Sequence, residues 1–181
     1  MINQLKYLVF FISSSLLLIS CSESRESKLK KISDLENKFY AADQILPNDT
    51  TSNTLVEMYA AFAQNFPSDT LAPIFLFKAG EINNGTHKFE KSLECFKQLC
   101  EKYPNHAKAP YAWFFRGFIS ENMLADSSSA RKFYDTFLQK YPQHHLAHDV
   151  SFALKNLGRN SLDIVHEFEK VNQDSAAKKT N

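Results

Sequence analysis

A pattern of residues that occurs twice in the middle of the chain constrains its fold more than any other feature. The pattern consists of an Ala-Pro pair, a glycine, an aromatic residue and an aromatic-Pro pair. Its two full copies are Ala72-Pro73, Gly80, Phe96 and Tyr103-Pro104, and Ala109-Pro110, Gly117, Tyr134 and Tyr141-Pro142. The first two features recur after 37 residues and the last two after 38, which one extra residue in a single loop explains. A fixed period in this range, without strand-like alternation, predicts stacked helical hairpins.

Within one copy, the residues fit two helices joined by a turn. Pro73 is placed in a first helical turn, where its missing N–H costs little. The segment from Asn83 to Thr86 reads Asn-Asn-Gly-Thr, which predicts the turn between the helices. Apolar residues at three- and four-residue steps then predict a second helix, and Pro104 ends it because the residue before a proline disfavours helical geometry.

This arrangement resembles the tetratricopeptide repeat (TPR) family. The family signature has a large residue and then Leu-Gly in the first helix, and a small residue, an aromatic residue and a closing proline in the second. The two copies fill these positions with Leu76, Ala79-Gly80, Ser92, Phe96 and Pro104, and with Trp113, Arg116-Gly117, Ala130, Tyr134 and Pro142. The resemblance implies an all-α fold, a right-handed α-solenoid of about three and a half TPR-like helical hairpins.

The solenoid is predicted to extend over residues 29–168. Its first hairpin is expected to comprise helices over 29–45 and 51–66, with Asp43 in the position that Gly80 and Gly117 occupy later. Close packing of the two helices is expected to loosen there. A fourth first helix is expected to end at Gly158, a glycine suited to the left-handed backbone of a helix end. A short helix over 162–168 is then expected to cover the open end of the stack.

The first 20 residues are predicted to be a targeting signal outside the fold. One lysine and two apolar runs precede Leu18-Ile19-Ser20-Cys21, which resembles the cleavage and acylation site of bacterial lipoproteins. The resemblance implies that the Cys21 thiol carries a diacylglyceryl group and becomes the new amino terminus. An uncleaved membrane-spanning anchor is the alternative, although its apolar stretch is marginal in length. Residues 21–28 are predicted to be a flexible tether and residues 169–181 a disordered tail.

No group of residues in the sequence indicates catalysis or a bound cofactor. Cys95 and Cys100 are five residues apart on one predicted helix, too far around its axis for a disulfide, and are interpreted as small buried apolar residues. His144 and His148 are four apart, which permits metal binding, but a role as polar residues at a helix start is favoured. With four glycines and a net charge of +1, neither a phosphate-binding loop nor a nucleic-acid surface is expected. We therefore expect no enzymatic activity, no cofactor and no metal.

The TPR resemblance also implies a partner-binding groove along the first helices of the hairpins. One aromatic residue per hairpin occupies the fifth position of that helix, and neighbouring groove positions are apolar or aromatic too. The groove residues implied in this way are Tyr40, Ile74, Phe77, Tyr111, Phe114, Phe118 and Phe152, with Glu81, Glu121 and Asn122 as a polar rim. Aromatic side chains dominate many protein interfaces, yet a stripe of them at helical spacing is also typical of a core, and both interpretations remain open here.

These observations lead to an expected function in the bacterial cell envelope. The chain resembles small TPR lipoproteins and, more distantly, the TPR lipoprotein of the outer-membrane β-barrel assembly machine and the coordinator of the Tol–Pal system. The resemblance implies a lipid-anchored protein–protein interaction module on the periplasmic face of the outer membrane, with another envelope protein or peptide as its partner. The alternative is a structural lipoprotein that associates with itself or with peptidoglycan.

Overall fold

The structure is a computed structural model that describes residues 23–41, 50–160, 162–163 and 165–170. Its helices are α1 (Arg25–Tyr40), α2 (Thr50–Asn65), α3 (Ala72–Gly85), α4 (Phe89–Lys102), α5 (Ala109–Asn122), α6 (Ser127–Lys140) and α7 (Ala147–Asn156). Residues 162–163 and 165–170, called the terminal segment below, are also helical. Each helix packs chiefly on its neighbours in the chain, and no strand occurs in the described ranges. The predicted all-α fold, a TPR-like helical solenoid, is confirmed.

The two middle hairpins, α3–α4 and α5–α6, repeat the same close contact between their helices. A Cβ atom placed on Gly80 would lie 2.5 Å from the ring of Phe96, and one on Gly117 would lie 2.3 Å from the ring of Tyr134. Only a residue without a side chain fits at either position. The repeating glycine and aromatic residue of the sequence therefore mark the place where the two helices of a hairpin touch.

The extra residue of the second copy lies in the loop within the hairpin, as the change of period predicts. Three residues, 86–88, separate α3 from α4, whereas four, 123–126, separate α5 from α6. The predicted turn at Asn83–Thr86 is wrong in position, because α3 continues to Gly85. Asn83 and Thr86 are buried, and the Thr86 hydroxyl donates to the carbonyl of Ile82 at 2.8 Å, so both polar side chains suit the helix end.

In the loops within the α3–α4 and α5–α6 hairpins, the residues that adopt left-handed backbone are not glycines. His87 has a φ of 59° and Ala125 a φ of 52°, and the two are 38 residues apart in equivalent loops. Glycine does take this role at the end of α7, where Gly158 has a φ of 79°. The sequence prediction of a left-handed helix end at Gly158 is thus confirmed.

The loops between hairpins follow one template in all three copies. A side chain accepts a hydrogen bond from the backbone N–H two residues later, which shapes the chain into the next helix. The bonds are Leu71 N–H to Asp69 Oδ1 (2.9 Å), Lys108 N–H to His106 Nδ1 (3.2 Å) and Leu146 N–H to His144 Nδ1 (3.3 Å). His144 therefore precedes α7 and does not share a helical face with His148, so the metal pair considered from sequence does not form in this way.

Tyrosine hydroxyls connect the second and the third of these loops to the loop before each of them. Tyr103 donates to the carbonyl of Pro67 at 2.8 Å, and Tyr141 donates to the carbonyl of Pro104 at 3.1 Å. Each bond spans one full repeat of the chain, so it joins neighbouring hairpins and not the helices within one hairpin. The aromatic-Pro pairs of the sequence pattern thus supply both partners of the contact.

The first hairpin differs from its expected boundaries. Helix α1 begins at Arg25, where the Ser24 side chain accepts from the N–H of Ser27, so the expected limit of the tether at residue 28 falls inside the helix. Arg25 is paired with Asp69 in the loop between α2 and α3. Residues 42–49, including Asp43 and the end of the helix predicted over 29–45, lie outside the described residues.

The terminal segment does not cover the end of the stack as expected. Its apolar side chains remain largely accessible, with Leu162 64%, Val165 50% and Phe168 52% exposed. Phe168 contacts Phe152 of α7 with a ring separation of 5.8 Å. The expected tail begins at residue 169, yet residues 169 and 170 are still helical, and residues 171–181 lie outside the described part of the chain.

None of the helices in the described residues is both long and apolar enough to cross a bilayer. Residues 1–22 lie outside the described residues, so the targeting signal and Cys21 remain predictions from sequence.

Candidate partner-binding surface

The aromatic residues at the fifth groove position differ widely in exposure from one hairpin to the next. Tyr40 is 62% exposed, Phe77 is 4% exposed, Phe114 is half-buried and Phe152 is 42% exposed. Equivalent positions in a repeat thus have different surroundings. Phe77 is covered by rings of the hairpin that follows it, whereas Tyr40 stays exposed although the α3–α4 hairpin follows it.

Phe77 belongs to the core between α3 and α5. Its ring centroid lies 5.4 Å from that of Phe96, 5.9 Å from that of Phe115 and 6.5 Å from that of Tyr111. The ammonium group of Lys108 lies 4.5 Å from the centroid of the Phe77 ring, a favourable cation–π contact. In this structure Phe77 offers little area to a partner, and it joins neighbouring hairpins.

Helix α5 carries the most continuous aromatic surface among the implied groove residues. Tyr111, Phe114 and Phe118 are spaced at three and four residues, so they share one side of the helix, and each is half-buried. The rings of Phe114 and Phe118 are 6.0 Å apart. We refer to Tyr111, Phe114 and Phe118 as the α5 aromatic surface. Ile74 is half-buried at the position of α3 that is equivalent to Tyr111.

Histidine rings border the α5 aromatic surface near the start of α7. The Tyr111 ring lies 5.1 Å from the ring of His144 and 5.8 Å from that of His145. Burial, with a smaller contribution from His145, lowers the pKa of His144 below its usual value. Both the lowered pKa and the role of Nδ1 as an acceptor favour the neutral form of His144.

The three residues expected at a polar rim have different roles in the structure. Glu81 is exposed, and partial desolvation raises its pKa while the charges of Lys108 and Lys78 oppose that rise. Glu121 accepts a hydrogen bond from the buried Tyr134 hydroxyl at 2.8 Å, so its carboxylate also supports the core. Asn122 is exposed and donates to the carbonyl of Phe118 at 3.1 Å.

A small cleft between α1 and α3 was not anticipated from the sequence. It has a volume of about 210 Å³ and is lined by Phe39, Tyr40, Lys78, Glu81, Ile82 and Gly85. Drug-sized ligands usually occupy larger cavities, of roughly 300–1,000 Å³. The cleft combines an exposed aromatic ring with one group of each charge. In the sequence, Gly85 was the residue that could have indicated the cleft, because a larger residue would occupy part of this space.

Arg116 was also missed as a packing residue. Its guanidinium carbon lies 4.4 Å from the Trp113 ring centroid and 4.1 Å from that of Phe133, so the group is held between two aromatic faces. Burial lowers the pKa of Arg116, and its Nε is buried without a hydrogen-bond partner among the described residues. Stacking on both rings offsets part of the cost of burying this cation.

The two thiols of α4 have the surroundings of inert cysteines. Cys100 is 5% exposed, and burial raises its pKa to about 11. Cys95 is half-buried, its sulfur accepts from the Asn83 side chain at 3.7 Å, and burial raises its pKa as well. Neither forms a disulfide, so their interpretation as apolar packing residues agrees with the structure. Within the described ranges, no three His, Cys, Asp or Glu side chains converge to hold a metal ion.

Comparison with known families supports the repeat. A family model of the tetratricopeptide repeat matches residues 75–106, which include most of α3, all of α4 and part of the next loop. This segment of the chain is therefore similar to one tetratricopeptide repeat. No curated protein matches the chain. Tetratricopeptide repeats generally mediate binding to other proteins, and a helical scaffold of this kind is typically not an enzyme.

Proposed function

We propose that this protein is a lipid-anchored adaptor of the bacterial cell envelope. In this proposal the acylated Cys21 holds the protein at the periplasmic face of the outer membrane, where its solenoid binds another envelope protein. The lipoprotein-like residues Leu18-Ile19-Ser20-Cys21 support the anchor. Several acyl chains, at about 0.8 kcal/mol per buried methylene, hold a protein at a bilayer without a spanning helix. A role in outer-membrane assembly or envelope maintenance is part of the proposal.

The binding role is carried by the α5 aromatic surface. Tyr111, Phe114 and Phe118 form a partly exposed stripe on the first helix of a hairpin, and this helix is the third of four such first helices in the described stack. Rigid aromatic side chains contribute large contact area at low entropic cost when they dock on a partner. We infer that an extended or helical segment of the partner lies along this stripe.

Two measurements test the anchor. Cys21→Ala is expected to move the protein from the membrane fraction to the soluble fraction, because it removes the acylation site. Globomycin, which blocks cleavage of lipoprotein signals, is expected to leave a longer precursor. Ser22→Ala is the matched control and is expected to stay with the membrane. Unchanged fractionation of Cys21→Ala would contradict acylation but would leave the binding role untouched.

Site-specific photocrosslinking in cells tests the binding surface. A photoreactive amino acid at Phe118 is expected to give a discrete adduct with one protein, whereas one at Lys132, which is exposed on α6, is expected to give none. Adding Phe114→Glu to the Phe118 probe is expected to remove the adduct, since a carboxylate would be buried against the partner. Adducts of the same size from both positions, or an adduct that survives Phe114→Glu, would reject this surface.

A further inference from the structure

One edge of the stack is formed by the loops between hairpins and by the start of α1. Arg25, the first residue of α1, is paired with Asp69 in the first of these loops. The tyrosine bonds described above then join each later loop to the one before it. We call this continuous surface the loop edge, and its loops comprise residues 66–71, 103–108 and 141–146.

The chain before α1 keeps Cys21 close to the loop edge. Two residue steps, which span at most roughly 7 Å, separate Cys21 from Glu23. The carboxylate of Glu23 accepts from the Ser27 hydroxyl at 2.8 Å, so Glu23 lies at the first turn of α1. A lipid on Cys21 would therefore enter the bilayer beside the start of α1.

The opposite edge of the stack is too far away for this short connection. Helix α1 has 16 residues and is therefore about 24 Å long. Phe39 and Tyr40 at its end line one cleft together with Ile82 and Gly85 at the end of α3, so the two helices run in the same direction. The turns within the hairpins thus lie about one helix length away from the point where the lipid would be attached.

Charge also distinguishes the two edges. On the loop edge, Arg25 neutralises Asp69. The other charged residues in the loops, or within two positions of them, are Lys102, Lys108, Lys140 and Glu101. The charged residues at the turns of the α3–α4 and α5–α6 hairpins, counted in the same way, are Lys88, Glu90, Glu121 and Asp126. Positive charge therefore predominates on the loop edge, and lysines near an anionic bilayer surface are attracted to it.

The loop edge suits the headgroup layer of a bilayer and not its hydrocarbon core. None of the large apolar side chains that are exposed in the described residues lies on it. Loop backbone carries N–H and C=O groups that hydrocarbon cannot satisfy. A contact made by this edge is therefore one with lipid headgroups.

The length of α1 offers a less suitable surface for the same bilayer. Its exposed side chains include two acids and two lysines that alternate at four-residue steps, namely Glu26, Lys30, Asp34 and Lys38. An anionic surface would repel each acid as strongly as it attracts the neighbouring lysine. Contact along α1 thus lacks the excess of positive charge that the loop edge has.

We propose that the loop edge rests on the headgroups of the bilayer that holds the Cys21 lipid, with the turns within the hairpins directed away from that bilayer. This inference rests on the acylation of Cys21 proposed above, and it adds the orientation of the stack. Lys102 and Lys140, both exposed, face the lipid phosphates. The α5 aromatic surface runs from the loop edge towards the other edge and stays open to a partner.

Fluorescence quenching by lipids tests the orientation. The full acylated chain is purified from cell membranes and reconstituted into vesicles of phosphatidylethanolamine and phosphatidylglycerol that include a lipid with a nitroxide on its headgroup. A fluorescent amino acid at Asn105, which is exposed on the loop edge, is expected to lose fluorescence. The matched probe at Met123 is expected to keep it, because the 14 residues of α5, roughly 21 Å in length, separate Met123 from the loop edge.

The outcomes separate this orientation from the anchor itself. If the protein stays on the vesicles, equal losses at Asn105 and Met123, or no loss at Asn105, would overturn the orientation alone. A probe at Lys38 that loses as much as the one at Asn105 would show that α1 lies along the bilayer, which would also overturn it. A chain that does not float with the vesicles would contradict the acylation of Cys21, and the orientation would be rejected together with the anchor.

Charge reversal tests the headgroup contact separately from the lipid. The double variant Lys102→Glu, Lys140→Glu is expected to reduce the fluorescence loss at Asn105 at least about twofold, because an anionic surface repels the new carboxylates. The double variant Lys91→Glu, Lys132→Glu has the same net charge, with its substitutions at exposed positions outside the loop edge, and is expected to match the parent chain. In vesicles of phosphatidylcholine alone, the two variants are expected to behave alike. Equal losses from both variants in the anionic vesicles would overturn the headgroup contact.

Discussion

The hairpins α3–α4 and α5–α6 share a helix contact but satisfy their polar groups in different ways. In both, a glycine of the first helix touches an aromatic ring of the second. In α5–α6 the ring is Tyr134, whose hydroxyl donates to Glu121. In α3–α4 the ring is Phe96, and the oxygen of Asn84, which occupies the position of Glu121, is buried without a partner among the described residues. The shared contact thus defines the repeat, whereas the polar groups vary around it.

A further difference involves the small residue one turn before each aromatic ring. Ser92 donates to the carbonyl of Gly80 at 2.8 Å, and this bond is fully buried. Ala130 stands at the same position of the other hairpin and has no polar atom to donate. Each hairpin therefore has one polar link that the other lacks, which makes reciprocal substitutions informative.

The largest effect is expected from filling the glycine contact. Gly117→Ala is expected to lower the free energy of unfolding by about 1–3 kcal/mol, because the Tyr134 ring is held by Glu121 and has little room to move. Gly80→Ala should cost less, since Phe96 has no hydroxyl to hold it. Urea denaturation at 25 °C measures both.

Gly85→Ala is the control for these two variants. No atom lies within 4 Å of a Cβ at Gly85, so alanine there should be neutral or stabilising by roughly 0.5–1 kcal/mol. Equal stability of the Gly117→Ala and Gly85→Ala variants would show that the glycine contact does not constrain the hairpin.

The second prediction exchanges the aromatic residues of the two hairpins. Tyr134→Phe is expected to lower the free energy of unfolding by about 1–2 kcal/mol, because it removes a partly buried hydrogen bond to a carboxylate. Phe96→Tyr is expected to be neutral or stabilising, since the new hydroxyl would have Asn84 Oδ1 as an acceptor. The same urea experiment compares them. A Phe96→Tyr variant that loses as much as Tyr134→Phe would show that the two ring environments are not equivalent.

The third prediction exchanges the small residues. Ser92→Ala is expected to cost about 1 kcal/mol, the usual net value of one buried hydrogen bond. Ala130→Ser places a hydroxyl near the Gly117 carbonyl and should change stability by less than about 0.5 kcal/mol, because the new bond offsets the burial of a polar group. Thermal unfolding followed by circular dichroism resolves the difference. A larger loss of stability in the Ala130→Ser variant would indicate tighter packing in the α5–α6 hairpin.

The smallest effect is expected from His144, in the loop that follows the α5–α6 hairpin. The pKa of His144 is lowered in the folded protein, so the unfolded chain binds a proton at a higher pH than the folded chain does. The free energy of unfolding should therefore fall as the pH drops below about 6.5, by an amount that solvent screening keeps small because this ring is partly exposed. The His144→Asn variant keeps a hydrogen-bond acceptor, and its free energy of unfolding should fall less between pH 7.5 and 5.5 than that of the parent chain.

His148→Asn is the control for the pH experiment, because His148 is exposed in the first turn of α7 and accepts no backbone N–H in the described structure. It should keep the pH dependence of the parent chain. If His144→Asn also keeps it, the neutral form of His144 does not contribute to stability.

Features that depend on residue type and spacing were predictable from the sequence. The hairpin repeat, the glycine contacts, the extra loop residue and the left-handed Gly158 each follow from local chemistry that one period displays. The position of the turn after α3 was not predictable from the sequence, because tertiary burial of Asn83 and Thr86 decides where the helix ends. His87 and Ala125 accept left-handed backbone that glycine would adopt more easily, and nothing in their residue type signals it.

The candidate site was predictable in outline but not residue by residue. Spacing alone assigns Phe77 and Phe114 to the same position, yet their exposure depends on the hairpin that follows each of them. Phe77 is covered by Tyr111 and Phe115, a contact between helices that the periodicity of one helix does not reveal. The terminal segment likewise has the sequence of a covering helix but leaves its apolar side accessible.

The bonds from Tyr103 to Pro67 and from Tyr141 to Pro104 have a consequence for how such a chain changes length in evolution. The donor and the acceptor belong to the same motif, one copy apart, so deleting or duplicating one whole unit creates a new junction that again pairs a tyrosine with a proline carbonyl. An unequal recombination event within the gene would therefore preserve this bond at the new junction. The number of units could vary without the loss of that one contact.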